Sequence, residues 1–182
     1  MIDPLQIIDR YYVSDSDAER ILLAHSTRVR EKALAVAVRV LDADPDLDFI
    51  AEAAMLHDIG IVRTDAPQIG CTGSAPYLCH GVLGREILDA EGYPRHALVC
   101  ERHTGTGLSA EEIRREKLPL PDRDLLPVSL EEQLICYADN FFSKSSLSLD
   151  RERTIDEVLR RLGRFGAAKV ATFKAWHARF GA

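Results

Sequence analysis

The sequence predicts an all-α fold, a compact single-domain helical bundle, on three observations. Strand-type alternation is scarce, and Val/Ile/Thr-rich runs are short. Apolar residues instead recur every three or four positions, the period of one helix face. Four segments open on Ser/Thr-x-x-Glu, at Ser16, Ser109, Ser129 and Thr154, a pattern that pairs the free N–H groups of a helix start.

The elements follow in order. After Ser16, the positions Leu22, His25, Val29, Ala33, Val36 and Val40 form one face of a long helix, with His25 on its buried side. A second helix starts near Asp46 and carries Ile50, Ala53, Ala54 and His57, with Gly60 as its stop. Arg63 to Pro76 holds two glycines and two prolines and reads as a loop. A third helix carries His80, Leu83, Gly84, Ile87 and Leu88 and ends at Gly92. Pro94 opens the next at its first position, where a missing N–H costs nothing; Ala97, Cys100 and His103 follow. Thr104-Gly105-Thr106-Gly107 breaks it. Ser109 caps a short helix, and Leu118 to Val128 is Pro-rich, irregular and suited to covering a site. Ser129 caps a helix with Ile135, Ala138, Asp139 and Phe142 on one side. Thr154 opens a C-terminal pair broken near Gly163 and Gly166. The expected organisation is a helical domain over residues 1–150 with a basic extension, 151–182, packed on it.

A chain of 182 residues, 46% hydrophobic, is long enough to bury roughly 70% of its unfolded surface. It needs no disulfide or structural metal to fold, so any metal is free for chemistry. No apolar run reaches 18 residues, and Met1 to Arg10 lacks a basic-then-apolar leader pattern. Cys71, Cys79, Cys100 and Cys136 lie far apart without a C-x-x-C, which suits reduced thiols and a cytoplasmic protein. The net charge of −6 argues against a general nucleic-acid binder and no membrane partner is expected. The charge is uneven: Arg151 to Ala182 holds eight Lys/Arg against three Asp/Glu. That is ordinarily a solvated basic face; the sharper reading is a surface that attracts an anion.

His25, His57, His80, His103 and Asp139 fall on apolar faces of five predicted helices, and Asp58 adjoins His57. A single inward histidine is usually a satisfied core residue. Several together, with aspartates that are almost never buried unless paired, need a common partner. A divalent metal satisfies imidazole and carboxylate at once; Fe or Mn suits this donor set best, and Zn is possible. Competing signals are weaker. Gly105 to Ala110 loosely fits a dinucleotide fingerprint, but no strand precedes it. Cys100 and His103 with Cys71 or Cys79 form a poor zinc set, and Cys100 and Cys136 read as small core residues. His96 is expected at the surface, and His177 at the surface or in packing.

The ordered set His25, then His57-Asp58-Ile59-Gly60, then Asp139 in Tyr137-Ala138-Asp139-Asn140 resembles the HD-domain superfamily of metal-dependent phosphohydrolases, over roughly residues 20 to 145. His80 and His103 resemble the two added histidines of its two-metal, HDIG-type members. The resemblance implies an HD-type helical fold. It also implies a first metal on His25, His57, Asp58 and Asp139, a second on His80 and His103, and Asp58 as the bridge. It implies a phosphohydrolase or phosphodiesterase that cleaves a nucleotide or other small phosphoester by a metal-activated water, with His57 and Asp58 as catalytic residues; Arg63 is added as a catalytic candidate from its place in the sequence. Many relatives carry Lys directly after HDIG; here Ile61 follows, and Arg63 is the nearest base. Arg63, Arg28, Arg102, Thr104 and Lys144 are candidates for substrate contact, Thr104 and Asn140 for hydrogen bonds behind the ligands. For each basic residue the ordinary alternative is a solvated charge. Two further readings share the pattern: a di-iron oxygenase acting on a small organic or phosphonate substrate, and a non-catalytic nucleotide-sensing module.

Overall fold

A computed structural model describes residues 2–145, 149 and 151–181. Among them the chain forms nine α-helices: α1 (Pro4–Ile8), α2 (Asp17–Ala37), α3 (Leu47–Leu56), α4 (His80–Ala90), α5 (Pro94–Arg102), α6 (Ala110–Arg115), α7 (Leu130–Asp139), α8 (Ile155–Gly163) and α9 (Ala167–Phe180). Strands β1 (Asp65–Ala66) and β2 (Cys71–Thr72) pair antiparallel, with Asp65 opposite Thr72. The fold is all-α, as the periodicity predicts. The short hairpin occupies the segment expected to be a plain loop.

The helix starts follow the capping chemistry, with two corrections. Ser109 with Glu112 and Thr154 with Glu157 make complete reciprocal caps. Ser16 and Ser129 cap α2 and α7, but their glutamates turn elsewhere: Glu19 accepts from the Asp15 N–H and Glu132 from the Val128 N–H, each at 2.7 Å. Gly92, at φ +84°, lies just past α4, and Pro94 opens α5.

Gly60 is not the stop of its helix. The α3 helix ends at Leu56 with His57 as its cap, and a 3-10 turn runs over Ile59–Arg63. Gly60 serves close approach instead. A Cβ there would lie 2.1 Å from the His80 carbonyl oxygen and 2.3 Å from the Gly84 nitrogen. Only hydrogen at this position lets the turn sit on α4.

The interior falls into two apolar clusters. One joins α2, α3 and α7 to the C-terminal pair through Val29, Ile50, Leu134, Tyr137, Val158 and Phe173. The Tyr137 and Phe173 rings stack at 5.1 Å. The other joins α1, the start of α2, α4 and α5 through Ile8, Leu22, Leu56, Ile59, Ile87 and Cys100. His25 lies on α2 between Leu22 of one cluster and Val29 of the other. His57 and His103 likewise follow helices whose residues divide between the two, so polar ligands collect at the seam.

His96 is a correction. It is buried rather than at the surface, against the Phe49 ring at 4.8 Å and 3.2 Å from Glu52. His177 accepts from or donates to the Tyr137 hydroxyl at 2.9 Å. The four cysteines are free, with Cys100 and Cys136 fully buried. Among the described residues no helix is long and apolar enough to cross a membrane.

Candidate metal centre

Two helix ends build half of the centre. The last carbonyls of a helix lack intrahelical partners. His57 and His103 follow the last residues of α3 and α5, and each ring turns back to such a carbonyl: Nδ1 lies 2.7 Å from the Ala54 oxygen and 2.7 Å from the Cys100 oxygen. His80 repeats the device across the 3-10 turn Tyr77–Cys79, with Nδ1 2.7 Å from the Tyr77 oxygen. A carbonyl only accepts, so in all three rings the proton sits on Nδ1. In the neutral ring the lone pair is then on Nε2 and points inward, the tautomer a metal requires.

The inward atoms form two groups that share Asp58. In the first, His25 Nε2 and His57 Nε2 each stand 3.2 Å from Asp58 Oδ2, and 3.0 and 3.6 Å from Asp139 Oδ1. In the second, His80 Nε2 and His103 Nε2 stand 3.4 and 3.3 Å from Asp58 Oδ1 and 3.1 Å from each other. Within each group the donor atoms lie within 4.8 Å of one another. Asp58 is fully buried, and neither of its oxygens makes a hydrogen bond of acceptable geometry; the same holds for His57 Nε2 and both nitrogens of His25. In the second group two ring nitrogens and a carboxylate oxygen converge. Imidazole nitrogens and a carboxylate oxygen gathered in this way are a donor set that suits a divalent cation. The residues fit a divalent metal site.

The electrostatics agree. Burial alone raises the carboxyls of Asp58 and Asp139, yet the charge of Lys144 and the surrounding histidines hold both well below the usual carboxylate range. Burial opposes a charge on His57, but the neighbouring carboxylates of Asp58 and Asp139 overcome it and raise its pKa to about 10. The first group therefore draws positive charge strongly. Burial drives His80 the other way, to about 3, against the pull of Asp58. His80 is neutral near pH 7 and its Nε2 is free to donate to a cation.

Lys144, proposed from sequence as a substrate contact, has its Nζ 2.6 Å from Asp58 Oδ2. Tyr77 stacks on His80 at 4.8 Å, and burial lifts its phenol to about 12 against the charge of Lys144. Sequence reading missed Tyr77; its only signal was a place three residues before a candidate ligand. The hydrogen bonds behind the ligands come from backbone carbonyls, not from Thr104 or Asn140. Asn140 instead donates to the Gly105 oxygen at 2.6 Å and accepts from Arg161 at 2.6 Å. Arg63 is exposed and faces Glu86 at 3.4 Å, while Arg102 is held by both oxygens of Glu132 at 3.0 and 3.1 Å. Neither pairs with Asp58 or Asp139. Arg28 lies one turn beyond His25 on α2. Cys100 donates its thiol to the Leu56 oxygen, which removes it from the weak zinc set. The irregular segment after α6 flanks the centre: Pro119 accepts from Cys79 Sγ, and Arg123 pairs with Glu101, two residues before His103.

A helical bundle with a buried histidine–aspartate centre split around one carboxylate defines a class of metal-binding protein. The chain belongs to the HD-domain family, whose model matches residues 22–143. It is similar to an uncharacterised protein of Methanocaldococcus jannaschii, 34% identical over 147 residues, which cover 79% of this chain and 78% of that one. It is also similar to tRNA (cytidine(56)-2'-O)-methyltransferases of Picrophilus torridus and Thermoplasma volcanium. These are 32% identical over 72% of this chain and 33% over 76%. The matched residues make up only 34% and 35% of those longer enzymes. No solved structure gives a significant match.

Proposed function

We propose that the protein is a metal-dependent phosphohydrolase or phosphodiesterase acting on a nucleotide or another small phosphoester. One observation carries this reading: the two oxygens of Asp58 face two separate pairs of histidine Nε2 atoms, 3.2 to 3.4 Å away. A carboxylate so placed suits two cations rather than one. His25, His57, Asp58 and Asp139 would hold the first, and Asp58, His80 and His103 the second. The donors are all nitrogen and oxygen, which favours iron or manganese and admits zinc. Two bound cations supply a water of lowered pKa and neutralise charge on the phosphoryl oxygens.

The chain's own residues do the rest. The Nδ1 hydrogen bonds of His57, His80 and His103 lock each ring in orientation before substrate arrives. Lys144 offers an ammonium 2.6 Å from Asp58 Oδ2, and it takes the place of Arg63 as the main phosphate contact. Arg28 and Thr104 are further contacts; Arg102 keeps its place against Glu132. The seam between the two apolar clusters excludes bulk water from one side of the centre. The methyl-transfer activity named for two relatives is not carried over, because the chain spans about a third of each.

The test is a panel of nucleotides and simple phosphoesters with Mn2+, run in air and anaerobically. Equal phosphate or nucleotide release in both atmospheres is expected. Product formed only with iron and oxygen would replace this reading with the oxygenase one, and no turnover at all would leave a sensing module.

A further inference from the structure

The helices α8 and α9 lie beyond residues 22–143, the part of the chain that matches the family. They form one wall of a cavity of about 500 Å³, the size range of small-molecule sites. The rest of the lining is the Thr104–Leu108 segment, Leu78, Leu118 and residues of and just after α6. The cavity lining includes Thr104, which directly follows the candidate ligand His103, and Leu78, two residues before His80. Asn140, adjacent to the ligand Asp139, binds both parts of the lining, through the Gly105 oxygen and through Arg161.

The lining carries four cations, Arg115, Arg161, Arg164 and Lys169, against two carboxylates. Two of the four are spent locally. Lys169 donates to Glu112 at 2.7 Å and to the Gly107 oxygen at 2.6 Å, and Arg115 lies 2.9 Å from Glu116. Arg161 and Arg164 have no carboxylate partner among the described residues, and Arg161 Nε is buried without a hydrogen bond. Beside Arg164, Phe165 presents its ring 67% exposed at the turn into α9, where Gly166 at φ +119° reverses the chain. An uncovered ring and two guanidinium groups without a carboxylate partner, one of them anchored on Asn140, line this cavity and are complementary to a flat base and a phosphate.

We infer that the C-terminal helices are a specificity wall: Phe165 takes the base, and Arg161 with Arg164 takes a phosphate, of a nucleotide carrying a second phosphate beyond the one at the metal centre. The uneven charge of the chain, with its basic C-terminal segment, thereby acquires a ligand. The inference deepens the hydrolase reading by naming its substrate class, but the binding it predicts does not require turnover.

The experiment uses the full-length, manganese-loaded protein and non-hydrolysable probes: the α,β-methylene analogues of ADP and CDP, with methylenediphosphonate as the ringless control, titrated by calorimetry. Both Phe165→Ala and Arg164→Ala alter exposed positions outside the apolar clusters. Arg164→Ala is expected to weaken the nucleotide analogues at least tenfold, and Phe165→Ala to reduce the preference for them over methylenediphosphonate at least fivefold. Wild-type protein that binds neither analogue, or variants within twofold of wild type on both, would overturn the inference. If the variants respond as expected and no phosphoester is ever turned over, the binding wall stands and the hydrolase reading falls.

Discussion

Replacing Lys144 by methionine should strengthen metal binding while weakening catalysis, an opposition that few structural defects produce. The Lys144 Nζ stands 2.6 Å from Asp58 Oδ2, and its side chain is 15% exposed. Burial disfavours the ammonium, but the charge of Asp58 more than compensates and raises the pKa above its usual value. The same oxygen faces His25 and His57 at 3.2 Å each, so a cation among those donors shares it with Lys144. Two unit charges 4 Å apart repel by about 4 kcal/mol at an effective dielectric near 20, and a dication doubles that. A lysine that turns toward solvent when the cation binds relieves part of this. If a quarter survives, about 2 kcal/mol remains, worth more than tenfold in affinity. The Lys144→Met variant should therefore bind Mn2+ at least tenfold more tightly in a chelator-buffered calorimetric titration. Its kcat/KM on a phosphodiester should fall roughly a hundredfold, the scale of losing one charged contact to the reacting group. Lys144→Arg should recover part of the activity. Unchanged or weaker metal binding in Lys144→Met would refute the claim that ammonium and cation compete for one oxygen.

Two other expectations rest on the same geometry. Gly60→Ala forces a Cβ to within 2.1 Å of the His80 carbonyl oxygen and 2.3 Å of the Gly84 nitrogen, both backbone atoms that cannot step aside. Overpacking of this kind costs about 1–3 kcal/mol, so the melting temperature should drop by roughly 3–10 °C; an unchanged melt would contradict the close approach. In chelator-treated protein the two buried histidines act oppositely on stability. His80 takes its proton near 6.5 when unfolded but only near 3 when folded, so stability falls as pH drops through that window. His57 holds its proton to about 10 when folded, so its contribution is complete below 6.5 and lost as pH rises toward 10. Denaturant midpoints should peak near pH 6.5, and His80→Gln should flatten the acid limb. Identical acid limbs in the two proteins would show that His80 is not the group responsible.

The helices were legible because they depend on local spacing; the six-ligand set came from the family resemblance, and the structure brings those residues together from five helices. Placing His25 on the face of Leu22 and Val29 needs only the helical period, and His57-Asp58 followed by Ile59-Gly60 marks a turn at a helix end. What could not be read was anything set by two distant segments. Gly60 looked like a helix stop, but its reason is the backbone of α4 passing over it. His96 looked exposed because its partners, Phe49 and Glu52, lie on another helix. Arg63 is close to the ligands in sequence, yet it faces Glu86 on α4 while Lys144 reaches Asp58 from beyond α7. Capping glutamates show the same limit: Glu132 answers both Val128 and Arg102 rather than its own helix cap.

The pairing of two cations across Asp58 is tested most directly by elemental analysis of manganese-loaded wild type, His80→Ala and His57→Ala after equilibrium dialysis. Two metals per chain in wild type, one in His80→Ala and none in His57→Ala are expected, because the first group keeps four donors without His80. A wild-type content of one metal per chain that His80→Ala leaves unchanged would contradict the bridging role of Asp58.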